Sequence, residues 1–341
     1  MSAWAAGAAV RVERTTRASR TGLVVAALVL LALVTLPRWG DPSTMRIVVE
    51  FIALLVLAQM WNLLAGYAGL VSIGQQAYVG LGGYALLVLA DDLGVNPFAA
   101  VPLAGLVVAA LALPTAALVF RFQGGYFAVG TWAIAEVYRL LIANTTALGR
   151  GSGRTLKAVF PLARESREVT TYLLALAIGV AALAAVYAFL RSRYGLGLMA
   201  IRDSEPGSEA LGIDVFRTKL GVYLGVAFGT GMTGALIYLN LLRISPDAAF
   251  SINWTAYTIF IVVIGGIGSL EGPLVGTALF FVTRELLSEY GAWYMIVLGF
   301  LAVGVMLLYP RGLWGLVAHR WDVRFFPVQR RVALDSPARE P

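Results

Sequence analysis

Ten apolar runs, each near the length a helix needs to cross a bilayer, leave little room for any other architecture. The hydrocarbon core is about 30 Å thick, so a spanning helix takes about 20 mainly apolar residues. The runs are 22–36, 47–65, 71–90, 97–120, 126–144, 170–190, 219–242, 254–269, 273–288 and 293–309. Nearly all the charge lies between them. Only 13% of the 341 residues are charged and 59% are hydrophobic, whereas a soluble domain is about 25% charged. The expectation is an all-α polytopic transmembrane helical bundle of about ten spans, a single domain over 21–316. A basic N-terminal tail, 1–20, and a polar C-terminal tail, 317–341, flank it. The last 20 or so residues, polar and Pro-containing, are expected to be disordered.

The first run follows Arg11, Arg14, Arg17 and Arg20, like the charged and apolar regions of a signal peptide. The segment Thr35-Leu36-Pro37-Arg38-Trp39 has no small-x-small cleavage site, so an uncleaved anchor helix is expected. Orientation follows from the placement of Lys and Arg. With the N-terminus in the cytoplasm and ten alternating spans, 16 of the 26 basic residues fall inside and 8 outside, while Arg139 and Arg284 stay within spans. Both basic tails share a side only if the number of spans is even. Loop 145–169 is the awkward piece, since it places Arg150, Arg154, Lys157, Arg164 and Arg167 outside, offset in part by Glu165 and Glu168. The net charge of +7 thus belongs to juxtamembrane segments rather than to a nucleic-acid face.

Composition excludes most enzymes. There is no cysteine and a single histidine, His319. Thiol chemistry is absent, a zinc site would need carboxylates alone, and a Ser-His hydrolase has almost nothing to work with. No cofactor or metal is expected.

Two Gly-rich segments interrupt the apolar runs. From Asn62 to Tyr84, six glycines fall within 18 residues, including Gly66, Gly69 and Gly74, beside Tyr67, Ser72, Gln75 and Gln76. Each interior Gly weakens a helix by about 1 kcal/mol against Ala. A broken helix, a re-entrant turn or very close helix packing is expected, and non-helical backbone at this depth must face protein or water. Both small-residue packing and the lining of a translocation path fit. The second segment, Gly265-Gly266-Ile267-Gly268-Ser269-Leu270-Glu271-Gly272-Pro273-Leu274-Val275-Gly276, reads as a discontinuous span or a tight hairpin. Glu271 belongs near the start of the next helix, where its charge suits the dipole. Glu136 and Arg139, at i,i+3 within the fifth run, are spaced to pair on one helix face, as a structural ion pair or as part of a path.

The loop 191–219 is long, mixed in charge and expected to face the cytoplasm. Ser208 can cap a short helix that Gly212 would stop. Such a helix suits docking into a groove on a soluble partner. Two other strings mislead. Gly80-Leu81-Gly82-Gly83-Tyr84-Ala85 fits a dinucleotide fingerprint but lies in an apolar run. Gly149 to Thr155 has the wrong spacing for a phosphate loop, with Arg154 where Lys is required.

Glu209-Ala210-x-Gly212 resembles the Glu-Ala-Ala…Gly coupling loop of ABC importer permeases. Ser192 to Gly195, Ala200-Ile201-Arg202-Asp203 and Glu209 to Ile213 resemble the matching stretch of branched-chain amino acid permeases, closest to the M-type subunit. Asn62 to Gly74, Tyr126-Phe127-Ala128 with Glu136 and Arg139, and Gly265 to Gly276 do likewise, so the likeness spans about 60 to 315. It implies a type II ABC importer-like permease in a bacterial inner membrane, with both termini cytoplasmic and no ATPase of its own. Two ABC ATPase subunits would couple at Arg202, Asp203, Glu209, Ala210 and Gly212. A second permease subunit would complete the path, in a homo- or heterodimer, and a periplasmic or lipid-anchored binding protein would deliver the substrate. The implied substrate is a branched-chain or related amino acid, with urea or amides as the alternative on the same scaffold. Relatives commonly carry Gly-His where this chain has Gly74-Gln75, which removes a titratable group. An ion-coupled secondary transporter is the rival from another class, but of the acids within the runs only Glu136 and Glu285 are read as relays.

Overall fold

The computed structural model describes residues 10–13, 17–287, 293–309, 312–321, 325–326 and 331–334. The described residues are helical almost throughout. The helices are α1 (Arg17–Thr35), α2 (Pro42–Asn62), α3 (Gln75–Leu87), α4 (Pro97–Val119), α5 (Gly125–Asn144), α6 (Arg164–Arg191) and α7 (Arg193–Asp203). There follow α8 (Glu205–Ala210), α9 (Val215–Leu241), α10 (Pro246–Ala249), α11 (Asn253–Gly265), α12 (Gly272–Leu287), α13 (Trp293–Leu308) and α14 (Gly312–Trp321). Of the ten expected spans, eight are helices long and apolar enough to cross a membrane. The other two are realised differently. Run 71–90 is an extended stretch followed by the 13-residue α3, and run 273–288 is the 16-residue α12.

Local chemistry sets where helices begin. Asp41 and Asn96 accept hydrogen bonds from Ser43 N and Phe98 N, each with proline at the first helical position. Two helices end in π-helical turns, Leu63–Tyr67 after α2 and Val88–Asp92 after α3. Such turns open the backbone ladder and leave carbonyls for other partners.

The core is built from α2, α3, α4 and α9. Ala100, Ala104, Val108, Ala112 and Ala116 recur every fourth residue on α4 and are fully buried. A helix that small on one face allows a neighbour to approach closely. α3 and α9 come nearer still. A Cβ on Gly82 would collide with the Gly231 carbonyl oxygen, and one on Gly234 would collide with that of Val79. The glycines of 62–84 therefore serve packing as well as interruption.

Two ends can be distinguished, a lower end that carries residues 191–214 and an upper end that carries 145–163. At the upper end a two-residue strand, Arg154–Thr155, pairs antiparallel with Arg243–Ile244. The Asp91 carboxylate accepts from the amides of Lys157 and Ala158, and Arg154 donates to Asp92 at 2.8 Å. Two of the loop's five basic residues are thus paired, Arg154 with Asp92 and Arg164 with Glu168, which Arg46 also reaches. α6 also begins earlier than expected, at Arg164, so the loop itself is shorter. The Gly149–Thr155 string is this clamp and not a phosphate loop.

The guanidinium of Arg154, hydrogen-bonded to Asp92, holds that carboxyl below the usual carboxylate range. A depressed pKa gives stability that is present above the unfolded value of about 3.9 and is lost as pH falls through the folded one. The clamp is expected to hold at neutral pH and to loosen below about pH 4. At neutral pH, Asp92→Asn is expected to speed tryptic cleavage after Arg150, Arg154 or Lys157 by roughly threefold or more, as read by limited proteolysis.

At the lower end, Val10–Glu13 pairs antiparallel with Arg331–Leu334, so the two terminal segments lie together. The expected tails, 1–20 and 317–341, lie largely outside the described residues, as does most of the stretch expected to be disordered. Within that stretch, Arg331–Leu334 forms a strand. The anchor helix α1 packs lightly, and its Leu23, Leu28 and Leu31 are exposed.

Candidate functional site

The lower end is built around a pair of short helices. Ser192 caps α7 by accepting from Tyr194 N, and Ser204 caps α8 by accepting from Gly207 N with Pro206 in its first turn. This corrects the expected cap. Ser208 lies inside α8, buried, and its hydroxyl donates to Ser204 O at 2.9 Å. Its carbonyl accepts from Leu211 N and Ile213 N, which closes the helix. Gly212 ends α8 as expected, at φ +81, where a side chain would be strained. Asp214 then caps α9 through Arg217 N. Glu209, Ala210 and Leu211 point into solvent, and Leu211 is 79% exposed. α8 is held to α9 by the Lys219–Glu205 pair.

Arg202 connects this end to the bundle. Its Nη1 donates to the Gly66 carbonyl at 2.9 Å, while Nε and Nη2 donate to Asp203 Oδ1 at 3.1 and 3.0 Å. Gly66 sits in the π-helical turn that ends α2, where an ordinary ladder partner is missing. Across from it stands Gly268. A Cβ on Gly66 would lie 2.7 Å from Gly268 N.

The turn that carries Gly268 is clamped from α2. The Asn62 side chain donates to Ser269 O and accepts from Gly268 N, both at 2.8 Å, and Gln59 donates to Leu270 O at 2.6 Å. The second Gly-rich segment is therefore a tight hairpin between α11 and α12. A Cβ on Gly265 would collide with Gly272 O, and Gly312 packs against Gly266. Glu271 immediately precedes α12 as expected and accepts from Phe326 N. The two Gly-rich segments, some 200 residues apart in sequence, meet at Gly66.

From there the chain turns back into the bundle. Gly69 takes φ +72. Residues 69–74 are not helical, yet they lie between α2 and α5. Trp61 Nε1 donates to Ser72 O at 2.8 Å, Ile73 N donates to Thr131 Oγ1 at 3.1 Å, and Gly74 N donates to Ser72 Oγ at 3.1 Å. Gly74 sits tightly on the Thr131 carbonyl. Gly69 and Val71 are exposed, whereas Tyr67 and Ser72 are buried. Where α3 begins, Gln75 Nε2 donates to Thr230 Oγ1 at 2.6 Å, and Gln76 pairs with Thr255. Both glutamines are buried neutral ties between helices, with no opening to solvent.

Glu136 and Arg139 pair on α5 as spaced. Arg139 Nε lies 2.9 Å from both Glu136 carboxylate oxygens, and Nη1 donates to Asp247 of α10 at 2.6 Å. The trio is open to the exterior of the single chain. The rest of that face of α5 is exposed and apolar, with Val129, Trp132, Val137, Leu140 and Leu141. Asp247, Thr131, Gln59 and Thr255 escaped the reading of the sequence. Gln59 alone had a signal, as an amide inside an apolar run. The others are ordinary residues until the fold supplies their partners. Among the described residues, no three His, Asp or Glu cluster as a metal site.

The family model described as "Branched-chain amino acid transport system / permease component" matches residues 43–307. The chain belongs to this permease family. The high-affinity branched-chain amino acid transport system permease protein LivM of Escherichia coli (strain K12) is 27% identical over 85% of the chain and 74% of its own length. The LivM protein of Salmonella typhimurium matches equally, and a probable LivM of Methanocaldococcus jannaschii is 28% identical over 30% of the chain and 29% of its own length. No solved structure matches. This permease is a multi-pass membrane protein and a transport subunit rather than an enzyme. Its apolar α1, α5 and α13 faces belong against lipid or another subunit, and the matched region takes in the extended stretch 69–74, the hairpin 265–272 and the helices α7 and α8.

Proposed function

We propose that the chain is half of the conduit of an ATP-driven ABC importer for branched-chain or related amino acids. Two ABC ATPase subunits dock on α7 and α8 through Arg202, Asp203, Glu209, Ala210 and Gly212. A second permease subunit, identical or not, covers the open face of α5, and a periplasmic or lipid-anchored binding protein delivers substrate to the upper end. The lower end is cytoplasmic in this reading, as are both termini, and the lipid is the bacterial inner membrane. The pairing of the two terminal segments supports their common side.

The observation that carries the reading is the bond from Arg202 to Gly66 O. It joins the exposed helices of the lower end to the stretch where non-helical backbone re-enters the bundle. Extended backbone at membrane depth cannot face lipid, because its unsatisfied amides and carbonyls would each cost several kcal/mol. The exposed side of 69–74 therefore faces water or a second subunit, and in this reading Gly69 borders the path while the buried Ser72 and Gly74 stand just behind it. Asn62, Gly66, Tyr67, Gly265, Gly266 and Gly268 support that wall from behind, and Gln75 and Gln76 fix the start of α3. When ATP closes the partner subunits, α7 and α8 move as a lever, and Arg202 hands the displacement to the re-entrant stretch. Intramembrane acids offer an ion-coupled mechanism little, since Glu50 is paired with Arg284 and Glu136 with Arg139.

Leu211 gives a direct test, because its side chain contributes little to the fold of this chain. Leu211→Arg is expected to leave the permease folded while ATPase co-purification and uptake fall about tenfold or more, the loss typical of a central interface anchor. Undiminished ATPase binding and uptake in Leu211→Arg and Glu209→Lys would overturn the docking assignment.

A further inference from the structure

We propose that Glu136, Arg139 and Asp247 form a recognition site for the zwitterionic head group of an α-amino acid in transit. This rests on the conduit reading above and goes beyond it, by locating a substrate contact and by choosing amino acids over neutral amides. The three groups are joined through one guanidinium, bidentate to Glu136 and single to Asp247. They lie on the uncovered side of α5, with side chains 47%, 27% and 78% exposed for Glu136, Arg139 and Asp247. Charged groups on an otherwise apolar helix face are not placed toward lipid. Arg139 stands eight residues beyond Thr131, which holds the re-entrant stretch, so the trio lies about 12 Å further toward the upper end.

The geometry suits exchange. Glu136 holds Arg139 through one edge of the guanidinium and keeps it oriented. Asp247, mostly exposed and on the four-residue α10, holds only Nη1. A substrate carboxylate can take Nη1 from Asp247, and the released Asp247 then accepts the substrate ammonium. Two ion pairs become three, and no charge is left unpaired. A lone carboxylate would displace Asp247 and leave it unpaired. A lone ammonium would gain a contact with acids already held by Arg139. Urea offers no charge for either partner. Arg is suited to this role because its planar fork binds two carboxylates at once.

The absence of cysteine makes a clean probe possible. Ala248→Cys puts the only thiol of this subunit on α10, next to Asp247 and exposed. Labelling of that thiol would be followed in the assembled transporter in proteoliposomes, before binding protein is added. L-leucine at millimolar concentration is expected to slow labelling by roughly fivefold, and 4-methylpentanoate, 3-methylbutylamine and urea by less than about twofold. Adding Arg139→Gln, or Asp247→Asn at its exposed position, is expected to abolish the protection by leucine. No protection by leucine, equal protection by the amine, or protection that survives both substitutions would overturn the site. ATP-driven leucine uptake that persists without such protection removes the recognition site alone. Loss of the dependence on α8 removes the coupling assignment alone.

Discussion

Arg202→Met is expected to separate ATP hydrolysis from uptake. The methionine keeps the aliphatic stem that packs on Gly69 but deletes the donor to Gly66 O and the pair to Asp203. A hydrogen bond from a charged donor contributes about 1.5–3 kcal/mol. Its removal also frees a carbonyl in a turn that has no ladder partner to offer. Uptake should fall about tenfold or more, the change that about 1.4 kcal/mol produces. ATPase subunits should still co-purify, because Glu209, Ala210, Leu211 and Gly212 keep the larger part of the docking surface, and their hydrolysis should continue without transport. Asp203→Asn should be milder, since Arg202 keeps its bond to Gly66. Purified transporter in proteoliposomes gives both rates, and normal uptake by Arg202→Met would refute the lever.

The second large effect concerns assembly rather than coupling. Gly66→Val is expected to prevent the lower end from closing. The new Cβ would collide with Asn62 Oδ1 and stand 2.7 Å from Gly268 N and 3.0 Å from Gly268 Cα. Two of those atoms are backbone and cannot turn aside. Overpacking alone costs about 1–3 kcal/mol, and each Asn62 hydrogen bond that is forced apart costs about 1 kcal/mol more. The sum is a large share of a marginal stability of about 5–15 kcal/mol. Little folded permease should survive extraction, and its thermal transition should drop sharply. Gly221→Ala, on the same chain with nothing within 4 Å of the new methyl, should melt at or slightly above the parent. Equal melting of the Gly66→Val variant and its parent would show that the two Gly-rich segments do not meet as described.

Much of the architecture was legible because its causes are local. The length of an apolar run decides whether a helix can span, whatever lies beside it. Gly212 stops α8 because that choice concerns a few bonded neighbours, and the Asp41-Pro42 and Asn96-Pro97 starts of α2 and α4 are equally local, although the apolar runs alone did not mark them. The cap of α8 shows the limit of such reading. Ser204 and Ser208 are equally able to accept a hydrogen bond, and the choice fell to Ser204 because Pro206 prefers the first turn and Ser208 is buried. Glu136 and Arg139 could be paired from their spacing, but Asp247 could not, since nothing within either segment refers to the other.

The glycines mark the same boundary. Their number announced that the backbone would break or pack closely near 62–84 and 265–276. Where each would do so depended on what arrived opposite: Gly231 against Gly82, Thr131 against Gly74, Gly268 against Gly66. By itself the sequence determined a membrane-spanning helical bundle with two weakened segments and a charged loop. Only the tertiary structure decided that the loop grips the first weakened segment through Arg202 and that the second backs it. A hydrogen bond between residues 136 positions apart depends on distance in space, and composition along the chain carries no record of that distance.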